Sequence, residues 1–185
     1  MSKVYACMAD GLEEIECLAV VDILRRAQIE CETVSVTGDD WITGSHGIRI
    51  ITDKLWREIE IGEDDVLFLP GGMPGTKELG EFEPLCEALK KKAAEGGRIA
   101  AICAAPSVLG DLGLLQGKKA TCYPGFEERL TGAAYVRDGV VTDGNITTAR
   151  GMGFAIDLGL ELVRLLKGEE PAKELKAGIQ HNMLP

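Results

Sequence analysis

Short apolar runs alternate with helical patterns along almost the whole of this 185-residue chain, and no other feature narrows its fold so far. Lys3 to Ala9, Cys31 to Val36, Val66 to Leu69, Arg98 to Ile102 and Ile146 to Ala149 read as strands, the central ones apolar throughout, as strands buried on both faces must be. Helical patterns lie between them. The first runs to about Ala27, opened by Asp10 with Glu13 three residues on in the manner of a capping box. Another covers Glu83 to Glu95 and closes on Gly96-Gly97, a third covers Ala105 to Leu112, and Gly153 to Leu166 forms the strongest late one. Alternation of this kind predicts an α/β chain with a mostly parallel sheet covered by helices on both faces, residues 1–185 forming one domain. In such a sheet ligands sit outside the carboxyl ends of the strands, so the loops that follow strands are where chemistry is to be sought.

The remaining stretches read less regularly. Trp41 to Thr52, with Gly44, Gly47 and the alternation Ile48-Arg49-Ile50, predicts a hairpin or excursion, and Leu55 to Ile61 a weak helical turn. Lys119 to Cys122 is a short strand, Pro124 to Leu130 a helix opened by proline, and Val136 to Val141 a strand paired with Ile146 to Ala149 across Thr142-Asp143-Gly144-Asn145. Pro171 starts a last helix to about Ala177.

Composition removes several classes of function. A net charge of −10 repels phosphate backbones and anionic membrane surfaces, which leaves a small neutral or electrophilic molecule as the expected partner, with no nucleic acid and no membrane. No apolar run approaches the ~20 residues of a membrane span, and Lys3 to Ala9 follows the start without a basic region and cleavage site, so a cytoplasmic location is expected. Cysteines at 7, 17, 31, 86, 103 and 122 form no CxxC pair. That excludes a zinc knuckle and a thioredoxin-like motif, and a reducing compartment would leave them as free thiols.

Three loops follow strands and carry chemistry-bearing residues. Cys103 falls on the junction between the Arg98 strand and a helix with Pro106 in its first turn, where Ala104 and Ala105 permit a sharp bend and the helix end favours thiolate. The bland alternative is a buried cysteine packing as a small hydrophobe. In the helix from Leu12, positions 12, 16, 19, 23 and 27 read Leu, Glu, Ala, Ile, Ala, so Glu16 interrupts an apolar stripe. Either its head reaches water at the end of the stripe, or burial keeps it protonated and able to donate a hydrogen bond to a thiolate. Glu13 and Glu14 suit a cap and a first-turn acid. The loop Pro70-Gly71-Gly72-Met73-Pro74-Gly75 offers backbone amides that, with the Ala104 amide, could form an oxyanion hole; its glycines equally suit a tight turn. No GxxxxGK[ST] run supports a phosphate site, and Gly151-Met152-Gly153 is a weak piece of a dinucleotide fingerprint. His46, in the hairpin, and His181, in the C-terminal tail, read as surface residues, His46 being the better candidate for a site or interface role.

Taken together, Gly11-Leu-Glu-Glu-Ile-Glu16, Leu69-Pro-Gly-Gly72, Ala100-Ala-Ile-Cys103-Ala-Ala-Pro106 and Arg150-Gly-Met-Gly153 resemble the DJ-1/ThiJ/PfpI superfamily, in the branch of the parkinsonism-associated protein deglycase. The resemblance covers nearly the whole chain. It implies a flavodoxin-like three-layer sandwich, akin to class I glutamine amidotransferases, and a homodimer. It makes Cys103 an oxidation-prone nucleophile, Glu16 its protonated partner, and the Gly72 and Ala104 amides the groups facing the site. It also implies a glyoxalase III-type or deglycase activity on small 2-oxoaldehydes with no cofactor and no metal, or alternatively a non-enzymatic redox sensor or chaperone. Two departures shape the expectation. Ala104 stands where the peptidase-like branch has a histidine, which argues against a protease or amidotransferase triad. Tyr123 stands where some deglycase-branch members have a histidine, so its hydroxyl would have to serve instead, and His46 occupies a place where an arginine can occur.

Overall fold

In a computed structural model, described here for residues 2–181, the elements run in chain order as follows. They are β1 (Val4–Met8), α1 (Glu14–Arg26), β2 (Cys31–Ser35), β3 (Trp41–Thr43), β4 (Arg49–Ile51), β5 (Lys54–Leu55), β6 (Val66–Leu69), α2 (Gly75–Glu81), α3 (Glu83–Ala94), β7 (Ile99–Ile102), α4 (Pro106–Asp111), β8 (Lys119–Ala120), β9 (Ala134–Tyr135), β10 (Val140–Asp143), β11 (Ile146–Ala149), α5 (Ala155–Lys167) and α6 (Glu169–Gly178). Seven strands form the main sheet in the order β10-β11-β7-β6-β1-β2-β5. Every pair is parallel except β10 with β11. This is the mostly parallel, helix-covered sheet that the alternation predicts and the flavodoxin-like architecture that the resemblance implies.

The pleat divides the core in two. Val4, Ala6, Met8, Phe68 and Ile102 point to the face covered by α1, α5 and α6, where they meet Val20, Leu24, Leu158 and Leu162. Tyr5, Cys7, Leu67, Leu69 and Ala101 point to the other, against Leu79 of α2, Leu85 and Leu89 of α3 and Val108 of α4. Successive residues of β1, β6 and β7 thus serve opposite cores, which is why those strands are apolar at every position and show no alternation. Among the described residues no helix is long and apolar enough to cross a membrane.

Several local expectations are corrected. The N-cap of α1 is Glu13, whose Oε2 accepts from the Glu16 amide at 2.7 Å; Asp10 instead accepts from the Thr43 amide at 2.7 Å, so the capping box predicted from Asp10 and Glu13 is absent. The predicted turn over 55–61 divides into the end of β5 and a 3-10 turn at Trp56–Glu58. Helix α2, which begins at the last glycine of the Pro70–Gly75 loop, was hidden by that loop's glycines and prolines. The predicted helix at 124–130 shrinks to a 3-10 turn at Glu127–Arg129, since Pro124 and Gly125 with φ +100° give it no helical start. The strand predicted over 136–141 is β10, shifted later, and its hairpin with β11 turns on Gly144 and Asn145 alone.

Helices α1 and α5 pack so closely that a Cβ on Gly159 would fall 2.8 Å from Cβ and Cγ2 of Ile23. Gly159→Ala gains about 1 kcal/mol of helix propensity, yet overpacking at such a contact costs about 1–3 kcal/mol. The expected outcome is a lower urea midpoint with unchanged slope; a raised midpoint would show that the two helices have room to part.

Candidate active site

Cys103 occupies the turn between β7 and α4 with φ +64°, a left-handed conformation that costs a non-glycine residue energy and that the surroundings must impose. They do so from both sides. Its amide donates to Ala149 O of β11 at 2.9 Å and its carbonyl accepts from the Tyr123 amide at 2.8 Å. The sulfur thereby stands at the carboxyl end of the sheet, flanked by the amides of Gly72 and Ala104. Of six free cysteines it alone is half-buried, the rest being buried.

Glu16, in the first turn of α1, lies on the packed face and is 1% exposed. The two side chains meet across Gly71. A Cβ on Gly71 would collide with Oε2 of Glu16 and with Cβ of Cys103, so only glycine lets the pair approach. Gly72, at φ +90°, has the Glu13 amide and Leu12 carbonyl carbon where a Cβ would be, and the Glu13 amide donates to Gly71 O at 2.9 Å. The two glycines thus serve both readings of the loop, the tight turn and the close amides.

Burial raises Glu16 to about 7; Glu13 adds to the rise, while the Cys103 thiol and the amides of Gly71 and Met152 act against it. None of these donors reaches Oε2 in good hydrogen-bond geometry, and that atom is buried without a partner. Burial, the Glu16 charge and the hydrogen bond to Glu16 push the Cys103 thiol up to about 12, against the Gly72 and Ala104 amides. The expectation that the helix end alone favours thiolate is therefore corrected. The helix is six residues long, and burial beside a second acid outweighs it. Two neighbouring charges are disfavoured, so the pair loses one proton readily and the second with difficulty. A thiolate here requires the proton on Glu16.

The other predicted residues divide. Tyr123 is exposed, its ring 3.3 Å from where a Cβ on Gly151 would lie, a point 3.9 Å from Glu16 Oε1; it stands at the rim. Glu14, expected as an ordinary first-turn acid, is 3% exposed. It accepts from the His46 amide at 2.8 Å and pairs with His46 Nδ1 at 2.8 Å. Burial acts to raise its carboxyl, but the His46 and backbone hydrogen bonds hold it at about 2. His46 is exposed and is raised by the hydrogen bond and charge of Glu14. Glu13, Glu14 and His46 bring ligand-type atoms within 4.8 Å of one another, an arrangement already occupied by the His46–Glu14 pairing itself. His181 pairs with Asp157 of α5 at 2.9 Å. The Glu14–His46 contact was not foreseen because residues 32 apart in sequence meet only once the hairpin folds over α1; Gly44, against whose Cα the Glu14 carboxylate rests, was the available signal.

Comparison with known proteins accords with this geometry. The DJ-1/PfpI family model matches residues 2–165. Protein dj-1beta of Drosophila melanogaster is 36% identical over 182 residues, 97% of each chain. A glutathione-independent glyoxalase of Caenorhabditis elegans, DJR-1.2, is 31% identical over 168 residues, 90% of this chain and 89% of that one. DJ-1 homolog B of Arabidopsis thaliana is 39% identical over 175 residues, 94% of this chain, which spans only 40% of that relative's length. The structure of oxidized Toxoplasma gondii DJ-1 superimposes with a TM-score of 0.93 at 34% identity, covering 98% of this chain and 100% of that one. By its sheet order, its Cys103 turn and these matches, the chain belongs to the DJ-1/PfpI family.

Proposed function

We propose that the chain is a cofactor-independent thiol enzyme of the glyoxalase III type, converting small 2-oxoaldehydes such as methylglyoxal to 2-hydroxy acids such as lactate. Deglycation of early glyoxal adducts is a related activity open to the same nucleophile. The observation that carries this reading is the partnerless Oε2 of Glu16, buried beside Cys103. An unmet buried oxygen costs about 1–3 kcal/mol, and a substrate oxygen bound between Glu16 and the sulfur would give it a partner. The glyoxalase name of the C. elegans relative supports the substrate class.

The steps follow from the one proton the pair can move. With the proton on Glu16, the Cys103 thiolate attacks the aldehyde carbon, forming a C–S bond, and the oxygen takes the Glu16 proton to give a hemithioacetal. The amides of Gly72 and Ala104 stabilise the oxygen while it is negative. Glu16, now a carboxylate, removes the proton from C1 and returns it to C2, while the hemithioacetal hydroxyl gives its proton to the C2 oxygen, so that the adjacent ketone becomes an alcohol and a thioester is left on Cys103. Water cleaves the thioester, releasing the 2-hydroxy acid and restoring the thiol. One carbon is oxidised as its neighbour is reduced, so the balance is substrate plus water. Tyr123, at the rim, would offer its hydroxyl to the second oxygen of the substrate.

A second reading is favoured by a separate observation, the partial exposure of Cys103 where the other five thiols are buried. Two equivalents of hydrogen peroxide would convert its thiolate to a sulfinate with release of two waters, and protonated Glu16 would donate to a sulfinate oxygen. Exposed Ile15 and Leu18 of α1 and Ile48 and Ile51 of the hairpin are large apolar side chains that the interface of a homodimer would cover. Six free cysteines fit a reducing compartment, and we place the chain in the cytoplasm.

Cys103→Ser is expected to abolish lactate formation from methylglyoxal; unchanged turnover would sink the mechanism. Glu16→Gln is expected to remove at least about 10²-fold in kcat while stabilising the fold at neutral pH. The sign follows from the raised carboxyl: the folded chain binds the Glu16 proton more tightly than the unfolded chain, so stability contributed by this group falls as pH rises from 4.5 to about 7. Above that window the carboxylate costs up to about 3 kcal/mol, which glutamine avoids; urea midpoints at pH 5 and pH 8 test it. Intact mass after mild peroxide should show two oxygens, with peptide mapping placing them on Cys103, and oxidation scattered over the other cysteines would contradict the sensor reading. Ile51→Glu should halve the mass seen by light scattering if the exposed apolar side chains join two copies.

A further inference from the structure

The hairpin of β3 and β4 sends Ile42 into the core beneath α1 and packs Ile50 against it, and it is bound besides to the loop before α1 by a set of hydrogen bonds. Gly11 N donates to Thr43 O at 2.7 Å and Ser45 N to Leu12 O at 2.8 Å. Thr43 N donates to Asp10 Oδ1 at 2.7 Å, and His46 reaches Glu14 through both its amide and its ring. Gly44 lets the hairpin backbone rest on the Glu14 carboxylate, where any Cβ would collide. The same loop residues face the site on their other side, since Glu13 N donates to Gly71 O and Glu13 Oε2 accepts from Glu16 N. Gly71 in turn separates Glu16 from Cys103 with no space to spare.

We propose that the Glu14–His46 pair is the positioning element of the site: it latches the hairpin over residues 10–14 and so fixes the distance between the Glu16 carboxyl and the Cys103 sulfur. His46 is a positioning residue, acting through Glu14 and Glu13. A buried carboxylate with a titratable partner is a poor device for stability alone, because an apolar pair of similar volume serves as well. It does hold one arrangement and no other. The charged groups acting on His46 are Glu14 and, further off, Glu13, and Ser45 Oγ stands 3.2 Å from His46 Nδ1 while donating to Glu14 Oε2 at 3.3 Å; Asp10 is engaged by Thr43 N, and Arg49 lies over the Trp41 ring at 3.9 Å. Imidazolium strengthens the latch and neutral imidazole weakens it, so the latch loosens as pH rises through the raised His46 value.

The inference refines the Cys103–Glu16 reading above, and its test separates the two. The rate of Cys103 alkylation by iodoacetamide, followed by peptide mapping from pH 5.5 to 9, reports the thiol without any substrate; kcat and KM for methylglyoxal report turnover. His46→Ala is expected to change the alkylation rate at pH 6.5 by about tenfold, since the thiol responds to the distance of the Glu16 carboxyl and ångström-scale misplacement carries effects of that order or more, and to lower kcat with KM within twofold. His46→Gln, which can still donate to Glu14, is expected to restore most of the rate, and the ratio of parent to glutamine variant should show a single-proton step that the variant itself lacks. Alkylation by His46→Ala within twofold of the parent across the range would overturn the inference, as would a parent-to-glutamine ratio without a step. Alkylation that responds as expected in a chain that never turns over methylglyoxal would leave the latch standing and refute the proposed activity.

Discussion

The close approach of one carboxyl and one thiol, made possible by the missing side chain of Gly71, is the constraint on which the rest depends. A Cβ at that position would occupy space taken by Oε2 of Glu16 and by Cβ of Cys103. Everything around it serves to keep the gap closed. Strand β7 delivers Cys103, the bonds to Ala149 and Tyr123 force its backbone into the left-handed region, and α1 delivers Glu16 from the other side of the loop. The scaffold thereby sustains two unfavourable features at once, a strained non-glycine residue and a buried acid, and in a fold of marginal stability features of this kind persist at sites that act.

Much of this was legible in the residues. The apolar runs at 66–69 and 99–102 mark central strands because each of their residues must face one of two cores, and a break in the apolar stripe at position 16 marked Glu16 as a residue needing a partner. Less of it was legible where structure depends on contacts distant in sequence. The local pattern makes Glu14 an ordinary first-turn acid, and only the fold of the hairpin onto α1 shows it buried against His46. Local propensity extended a helix over 124–130, where Gly125 takes a positive φ and stops it. Helix α2 was hidden because Gly75 and Pro74 read as turn residues while in fact standing at the helix start. The charge state of the sulfur was misjudged for a related reason: position at a helix start is visible in sequence, whereas burial beside a second acid is a property of the assembled loops.

The site also shows how a parallel sheet divides its duties. The two apolar clusters lie on the faces, and the polar, strained and glycine-dependent segments collect beyond the carboxyl ends of β1, β6, β7 and β11, where chain reversal leaves backbone groups free to point at a ligand. Substitutions in the faces act on stability; substitutions at the carboxyl ends act on geometry that the faces merely support.

The order of the strands has one more effect. The sheet ends on one side in β5, two residues long, and on the other in β10, whose hairpin with β11 turns it against the direction of its neighbours. A two-residue edge such as β5 offers little template to the extended segment of another molecule. Growth of the sheet by addition of further chains is thus disfavoured at the β5 margin.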